Sequence, residues 1–421
     1  MIKKLGTYLK GYGRESVLGP LFKLLEALFE LFVPLVVAKM IDQGIRGGEG
    51  EAYVWKMGGL LLLLGVYVGL YFIEKTQGTS SMLVTVLRKG TVYALIAVSM
   101  NMLNGFTGLF SLGQAGFMLV GAYAYAILTI PVAKRAAVYQ QFGGGILHFT
   151  APVLVGILAG GAVAAIFAFL IGLPVLRLKS DYLAIATLGF AEIIRALVQY
   201  KGLGGLTNGS NLLKTYPTFA SIHSSKINTD SAFLAKLYEI YAVMFPYLIC
   251  GACILLIVLI LNSTYGRAFK AIRDDEIAAE AMGINLFRHK QIAFVTSSFF
   301  AGIGGALLAM FQQSLQANAF KSSMTYEILL IVVIGGLGSI SGSVIASYLF
   351  IACSEWWLRF LDSEQTLFGV KLPLMRLGFR MVVFSAIIMV VVLFFRRGIM
   401  GDKELDLVGM ITGKRRERTR P

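Results

Sequence analysis

The sequence predicts an all-α, polytopic membrane protein with about ten transmembrane helices, some of them broken or re-entrant at glycine-rich segments. Of its 421 residues, 57% are hydrophobic and 14% are charged, whereas soluble domains carry about 25% charged residues. The mean hydropathy is +0.75. Apolar runs long enough to cross a bilayer recur along the chain, and this repetition predicts a protein of many spans.

The expected spans follow one another in chain order. Two apolar runs, 18–41 and 54–73, come after a basic start and precede a polar break over 74–81. Eight more lie at about 91–106, 110–130, 151–176, 182–199, 237–261, 290–313, 325–350 and 374–395. The polar interval 200–236 is too long for a tight turn and is predicted to be an exposed loop.

Basic residues indicate the orientation. The net charge of +15 comes mainly from span ends and from the tail beyond Arg396, where the excess of Lys and Arg on cytoplasmic loops explains it without a nucleic-acid partner. The C-terminus and the stretches 75–89, 177–179 and 267–290 are therefore expected in the cytoplasm. Three apolar runs separate the first two stretches, so one of these runs is expected to be non-spanning or broken.

Two glycine-rich segments, 105–116 and 335–342, are the candidates for such breaks. Non-helical backbone at membrane depth is tolerated only where it is buried or lines a wet cavity, and paired interruptions in a transporter point to its translocation path. The residues predicted to line this path are Asn101, Asn104, Gly105, Ser111, Gln114, Glu192, Gly335 and Gly336. Hydrogen bonding between helices is the alternative for the two asparagines, and an ion pair with Arg195 is the alternative for Glu192.

A charged segment, residues 265–284, lies between two apolar runs and must be in water, because charges at the bilayer centre are expensive. Its composition predicts one helix that stops at Gly283. Lys270 with Asp274, and Arg273 with Glu276, have the spacing of ion pairs, whereas Glu276 and Glu280 repel each other across one turn. Together with an apolar edge formed by Phe269, Ile272 and Ala279, these unpaired acids favour a surface for an outside partner. A solvated helix between spans is the alternative.

Motifs for catalysis and metal binding are absent from the sequence. It contains no GxxxxGKS/T phosphate loop, no HExxH and no GxSxG, and its three histidines are isolated. Cys250 and Cys253 have a CxxC spacing inside an apolar run, where we interpret them as small packing residues. We therefore expect no catalytic residue, metal site or cofactor, and a chain that moves a solute rather than an enzyme.

Six stretches, in their order and spacing, resemble one known family. They are LNGFTGLFSLGQAGFMLVGAYAYAIL, GLPVLRLKSDYLAIATLGFAEIIRALV, GGLTNGSN, GRAFKAIRDDEIAAEAMGIN, EILLIVVIGGLGSISGS and FFRRGIMG. From about residue 83 to 402 the chain resembles the branched-chain amino acid ABC importer permeases of the Liv type, and their M-type subunit most closely.

This resemblance implies an importer of the bacterial-type plasma membrane, in which two homologous permeases form the path. Two cytoplasmic ATPases bind ATP and drive transport, and an external binding protein delivers the amino acid. Residues 267–284 would be the helix that couples to an ATPase, through Arg267, Arg273, Asp274, Glu276, Glu280 and Gly283. Thr207 and Asn208 would contact the binding protein, although turn chemistry alone also explains them.

Residues 1–73 do not fit this resemblance and look like the start of an ABC multidrug exporter. The expected organisation is an exporter-like extension (1–81, an elbow helix and two spans), an importer permease domain (82–402) and a basic cytoplasmic tail (403–421). The extension is either a fragment fused to a complete permease or the product of two joined genes. Other functions left open are a urea or amide permease of the same family, an exporter-type subunit led by residues 1–73, and an ion-coupled carrier or channel with Glu192 as its ion site.

Overall fold

The computed structural model describes residues 81–358 except 144, 147, 179 and 225–231, together with residues 65 and 69 and the pieces 366–367, 370–371, 383, 385–386, 389, 398–401 and 404. The chain divides into two compact units, Met1–Ile73 with Asp406–Pro421, and Glu74–Leu405. The second unit carries nearly all described residues. The exporter-like extension, the span predicted at 374–395 and the basic tail fall almost entirely outside the described residues.

The described chain is helical, and the predicted all-α class is confirmed. The α-helices are α1 (Met82–Asn101), α2 (Gln114–Thr129), α3 (Val132–Val138), α4 (Val153–Val175), α5 (Ser180–Gln199), α6 (Gly204–Thr207), α7 (Phe219–Ser224), α8 (Ala232–Asn262), α9 (Thr264–Asp274), α10 (Glu276–Ala281), α11 (Leu286–Gln312), α12 (Ser322–Gly335) and α13 (Ile340–Ile351). Helices α1 and α13 continue as π-helices over Met102–Phe106 and Ala352–Trp357. Single 3₁₀ turns occupy Gln140–Phe142, Lys201–Leu203 and Ala317–Ala319, and two-residue strands β1 (Thr366–Leu367) and β2 (Val370–Lys371) pair antiparallel.

Six helical segments among the described residues are long and apolar enough to cross a membrane. They are Met82–Phe106, Val153–Val175, Tyr182–Gln199, Tyr241–Asn262, Leu286–Gln312 and Ala317–Gly335. Helix α2 is also apolar but shorter, with 16 residues. These seven segments match seven of the ten predicted spans, and the other three lie almost entirely outside the described part of the chain.

The centre of the described unit is built on close contact between α2, α4 and α11. Glycines stand where the three helices meet, so that a Cβ at Gly121 would overlap the backbone of Gly302 and a Cβ at Gly160 would meet the carbonyl of Gly121. Gly305 lies in the same way against the backbone of Met118. In a bilayer, where apolar burial does not drive helix association, small residues let backbones approach and gain van der Waals contact.

The two ends of α1 carry different partners. Lys89, near the start of α1, pairs with Glu355 at 2.5 Å, whereas Gly105, at its other end, accepts a hydrogen bond from Arg273 of the charged segment. Sixteen residues of helix separate Lys89 from Gly105, a rise of about 24 Å. Lys89 and the contact with the charged segment therefore lie far apart along α1. The cytoplasmic side expected for the two basic stretches stays a prediction.

Candidate functional site

The first glycine-rich segment interrupts the chain between α1 and α2, as predicted. The π-helix ends at Phe106, and residues 107–113 are non-helical. The side chain of Asn104 holds this loop, since its Oδ1 accepts a hydrogen bond from the Ser111 amide at 3.2 Å. The Leu112 amide donates to Thr187 Oγ1 of α5 at 3.0 Å. Together with the Leu109 amide, which donates to the Leu103 carbonyl, three amides of the non-helical loop are therefore bonded within the protein.

A buried hydrogen-bond network fixes the start of α2. Gln114 Nε2 donates to Ser99 Oγ at 2.8 Å, and Ser297 Oγ of α11 donates to the Ser99 carbonyl at 2.7 Å. The Ala115 amide donates to Thr325 Oγ1 of α12 at 3.2 Å. All of these polar side chains are buried. Gln114 therefore links α1 to α2, and the network extends through hydroxyl groups to α11 and α12.

The second glycine-rich segment forms the turn of a helical hairpin. Helix α12 ends at Gly335, and α13 begins at Ile340. Gly336 and Gly338 have φ of +116° and +87°, values that L side chains rarely adopt. The backbones of Gly335 and Gly342 touch. The break predicted for this segment therefore takes the form of a helical hairpin.

Asn101 joins α1 to this hairpin turn. Its Nδ2 lies 2.7 Å from Ser343 Oγ, 2.8 Å from the Ser339 carbonyl and 3.2 Å from the Gly336 carbonyl, and its Oδ1 accepts the Gly338 amide at 2.9 Å. The residue is fully buried. In the described conformation Asn101 thus connects helices, which is the alternative that its sequence position left open. Its role in a translocation path stays a prediction.

Glu192 is held by local partners. Its Oε2 lies 2.6 Å from Arg195 Nη2, and its Oε1 accepts a hydrogen bond from Ser322 Oγ at 2.5 Å. Arg195 also donates to Asn318 Oδ1 at 3.3 Å. The carboxylate therefore forms an ion pair within α5 and, through the hydroxyl of Ser322, ties α5 to the start of α12. Its predicted place on the path is untested.

Thr207 and Asn208 are buried in their own loop. Thr207 Oγ1 donates to the Val198 carbonyl at 2.7 Å, and Asn208 adopts the left-handed conformation, with φ of +62°. Asn208 Nδ2 donates to the Leu212 carbonyl at 3.2 Å. Both side chains shape the turn, and contact with a binding protein stays a prediction for this loop.

The charged segment is two helices and not the single helix that was predicted. Helix α9 ends at Asp274, and Asp275 is extended, with φ of −159°. The Asp275 carboxylate then caps α10 by accepting the amides of Ile277 and Ala278 at 2.8 and 3.1 Å. Aspartate is a preferred N-cap because its oxygen satisfies amides that have no partner within the helix. This cap competes with continuation of α9 and breaks the helix.

The ion pairs of this segment also differ from the predicted ones. Arg273 pairs with its neighbour Asp274 at 3.2 Å, and Glu276 pairs with Lys290 of α11 at 2.6 Å. The Lys270 ammonium lies 5.7 Å from the centre of the Phe106 ring. The spacing of Arg273 and Glu276 assumes one regular helix, and the break at Asp275 changes the direction of Glu276. Asp274 lies before the break and pairs with the adjacent Arg273 instead of Lys270.

The predicted apolar edge faces the protein itself. Phe269, Ile272 and Ala279 are all buried. Two other apolar side chains point outward instead, because Ile277 and Met282 are 82% and 84% exposed. Sequence reasoning missed both, since each stands beside charged or small residues and belongs to no regular apolar stripe.

The end of α10 has the geometry that Gly283 predicted. Gly283 has φ of +85°, its amide donates to the Glu280 carbonyl, and the Ile284 amide donates to the Ala279 carbonyl at 3.1 Å. These two bonds are the Schellman ending, in which a glycine in the left-handed conformation closes a helix. The turn directs the chain into α11 and leaves Met282 at its tip.

A family model for "branched-chain amino acid transport system / permease component" matches residues 82–395. The chain belongs to this family. It is 32% identical over 296 residues to the high-affinity branched-chain amino acid transport system permease protein LivM of Escherichia coli (strain K12), an alignment that covers 68% of this chain and 65% of that relative. The LivM protein of Salmonella typhimurium is 30% identical over 84% of this chain and 80% of the relative, and its LivH protein is 24% identical over 76% and 94%. No solved structure matches the chain.

In this permease the predicted site residues fall into separate groups. Asn101, Gly105, Gly335 and Gly336 come together where α1 meets the hairpin turn, and Arg273 contacts the same place through the Gly105 carbonyl at 3.1 Å. Asn104 with Ser111, and Gln114 with Ser99, hold the neighbouring loop. The remaining predicted residues lie elsewhere: Glu192, Thr207, Asn208, Arg267, Asp274, Glu276, Glu280 and Gly283.

Among the described residues, no group of three or more His, Cys, Asp or Glu side chains could hold a metal ion. Cys250 and Cys253 are buried free thiols on α8. Their burial agrees with the interpretation that they pack within a span.

Proposed function

We propose that this chain is the transmembrane permease subunit of an ATP-driven importer for branched-chain amino acids. The family match over residues 82–395 carries this proposal. The broken helix α1, the hairpin turn and the charged segment meet at one end of the described unit, an arrangement suited to coupling a path to an outside motor. The proposed partners are a homologous permease, two cytoplasmic ATPases that bind the ATP, and an external binding protein.

Helices α9 and α10 are the proposed contact with an ATPase. Their buried side chains fix them to the permease, and Ile277 and Met282 project from an otherwise charged surface. Apolar side chains that reach out from a polar rim are the usual anchors of a protein interface. Glu280 belongs to the rim, since it is exposed.

The same geometry supports a cytoplasmic C-terminus. Residues 398–401 contact the hairpin turn, which lies at the end of α1 that Arg273 reaches. If α9 and α10 meet ATPases in the cytoplasm, the segment that leads to the C-terminus begins on that side too. We propose a multi-pass protein of the bacterial plasma membrane in this orientation.

Uptake of labelled leucine into proteoliposomes tests the proposal. The vesicles would hold this chain, its sister permease, both ATPases and the binding protein, with ATP available to the ATPases. We expect uptake that requires ATP and the binding protein and that unlabelled isoleucine or valine suppresses. Suppression by urea or acetamide instead would assign a different substrate, and uptake that persists without ATP would overturn the importer mechanism.

A further inference from the structure

A short segment near the C-terminus runs along the hairpin turn between α12 and α13. The Ile399 amide donates to the Ile334 carbonyl at 2.7 Å, and the Met400 amide donates to the Gly335 carbonyl at 3.2 Å. These carbonyls belong to the last turn of α12, where helices leave acceptors without an internal partner. Residues 398–401 together with Glu404 are called the strap.

Glycines allow the strap to lie this close. A Cβ on Gly398 would stand 2.7 Å from the Gly336 amide nitrogen, and one on Gly336 would stand 2.5 Å from the Gly401 carbonyl oxygen. Real Cβ atoms do not approach other atoms at such distances. The backbones of the strap and of the hairpin turn are therefore in direct contact.

Glu404 completes the strap by capping α13. Its Oε1 accepts the Ile340 amide at 2.7 Å, and its Oε2 accepts the Ser341 amide at 3.0 Å and the Ser341 hydroxyl at 2.6 Å. The Gly342 amide, the next donor of the first turn, bonds to Ser339 Oγ at 3.1 Å. The first three amides of α13 are thus satisfied, two of them by a carboxylate 63 residues or more away along the chain. A negative charge at this position also interacts favourably with the helix dipole.

The turn that the strap holds is the one that the charged segment reaches. Gly338, between the two halves of the hairpin, donates to Asn101 of α1 at 2.9 Å and packs against Gly105. The Gly105 carbonyl accepts a hydrogen bond from Arg273 of α9. The hairpin turn is therefore fixed from two sides, by α1 with the charged segment and by the strap.

We propose that Glu404 is a positioning residue for transport, which holds the α12–α13 turn in register with α1 and the charged segment. This inference rests on the proposed function, because it assigns Glu404 to the coupling between ATP hydrolysis and uptake. Without the carboxylate, the Ile340 and Ser341 amides in the first turn of α13 lose their acceptor. The hairpin turn is then less firmly held, and movement of the charged segment is transmitted to it less effectively.

Two measurements test this, and the first does not depend on transport. Amide hydrogen exchange in the purified complex compares the unaltered chain with Glu404→Ala, Glu404→Gln and Ser341→Ala. We expect Glu404→Ala to speed exchange at Ile340 and Ser341 about tenfold or more, since it removes hydrogen bonds to a charged group and favours local opening. Glu404→Gln keeps one acceptor oxygen and should show an intermediate effect. Ser341→Ala, which keeps both amide bonds, should show little. Equal exchange rates at Ile340 and Ser341 in all four proteins would show that Glu404 does not hold the first turn of α13.

The second measurement is the ratio of leucine taken up to ATP hydrolysed in proteoliposomes. We expect Glu404→Ala to lower this ratio several-fold while the ATPase rate and the amount of assembled complex are maintained, and Glu404→Gln to restore part of it. A parallel fall of uptake and hydrolysis at constant ratio would show a role in folding alone and overturn the positioning role. Absence of ATP-dependent uptake by the unaltered chain would instead contradict the proposed importer function. In that case the exchange rates would still show whether Glu404 holds the first turn of α13.

Discussion

At the scale of single residues, the described permease depends on polar side chains that bridge elements within its core. Asn101 is the clearest case, because its amide group serves three acceptors and one donor of the hairpin turn. The Gly336 and Ser339 carbonyls and the Ser343 hydroxyl also bond within the turn itself, so removal of the amide costs them one of their partners, whereas the Gly338 amide loses the partner described for it. An unsatisfied buried donor or acceptor costs about 1–3 kcal/mol.

We expect Asn101→Ala to lower the thermal stability of the purified protein more than Asn104→Ala does. Among the described contacts, the Asn104 side chain bonds to the backbone of Ser111 in its own loop, so its loss disturbs one loop rather than the junction of two elements. Thermal unfolding in detergent measures the difference. An equal or larger effect at Asn104 would contradict the bridging role of Asn101.

A second expectation at this scale concerns Gly336. Its φ of +116° is unsuited to an L side chain, and an added Cβ would collide with the backbone of Gly401. Gly336→Ala should therefore destabilise the hairpin turn, by about 1–3 kcal/mol for the strained conformation alone. Gly189→Ala is the matched control, because a Cβ there meets nothing within 4 Å and alanine favours a helix. The two variants are compared by thermal unfolding, and similar values would refute the steric argument.

At the scale of elements, the charged segment combines an inner face that fixes it with an outer face that is open. Phe269 and Ile272 pack inward, whereas Ile277 and Met282 project outward. The break at Asp275 produces this arrangement, since it turns α10 relative to α9. The element thus has its own anchor and a separate surface for a partner.

We expect Ile277→Ser with Met282→Ser to weaken binding of the ATPase without lowering the thermal stability of the permease, because neither side chain is packed in it. Loss of an apolar interface anchor costs about 2 kcal/mol or more. Tyr200→Ser is the control, since this exposed side chain (63%) lies in the loop after α5, outside the charged segment. Co-purification of the ATPase measures the effect, and unchanged binding in the double variant would exclude α10 as the contact.

The cap of α10 is open to a separate test. Asp275→Ala removes an acceptor from the Ile277 and Ala278 amides, and loss of such a cap costs about 1 kcal/mol. Asp275→Asn keeps a capping oxygen and should preserve α10. Amide exchange at residues 277 and 278 should rise in the alanine variant and stay near its original rate in the asparagine variant. The same rate in both variants would contradict the capping role.

At the scale of the whole molecule, helix α1 begins at the residue where the family match begins. The family model starts at residue 82, and Ser81 caps α1 by accepting the Val84 amide at 3.3 Å. A chain without residues 1–80 keeps this cap and every described contact within residues 81–404. We expect it to assemble with its partners and to take up leucine at a rate close to that of the full chain.

Uptake into proteoliposomes by the two chains, normalised to assembled complex, measures this. If the shortened chain assembles as well as the full chain but takes up much less leucine, residues 1–80 contribute to transport. Efflux of a drug that requires those residues would favour the exporter-like alternative for the extension.

The sequence by itself determined the class of the molecule, its described spans, its two helix breaks and its family. Hydropathy, glycine clusters and motif order are local properties, and a bilayer constrains helices strongly enough for local signals to suffice. The tertiary structure decided which polar groups meet. Asn101 forms hydrogen bonds with the hairpin turn, and Lys89 forms an ion pair with Glu355. Glu404 accepts hydrogen bonds from the start of α13, 63 or more residues away along the chain. Partners this distant leave no periodic signal in a single sequence, because their pairing depends on how the helices pack.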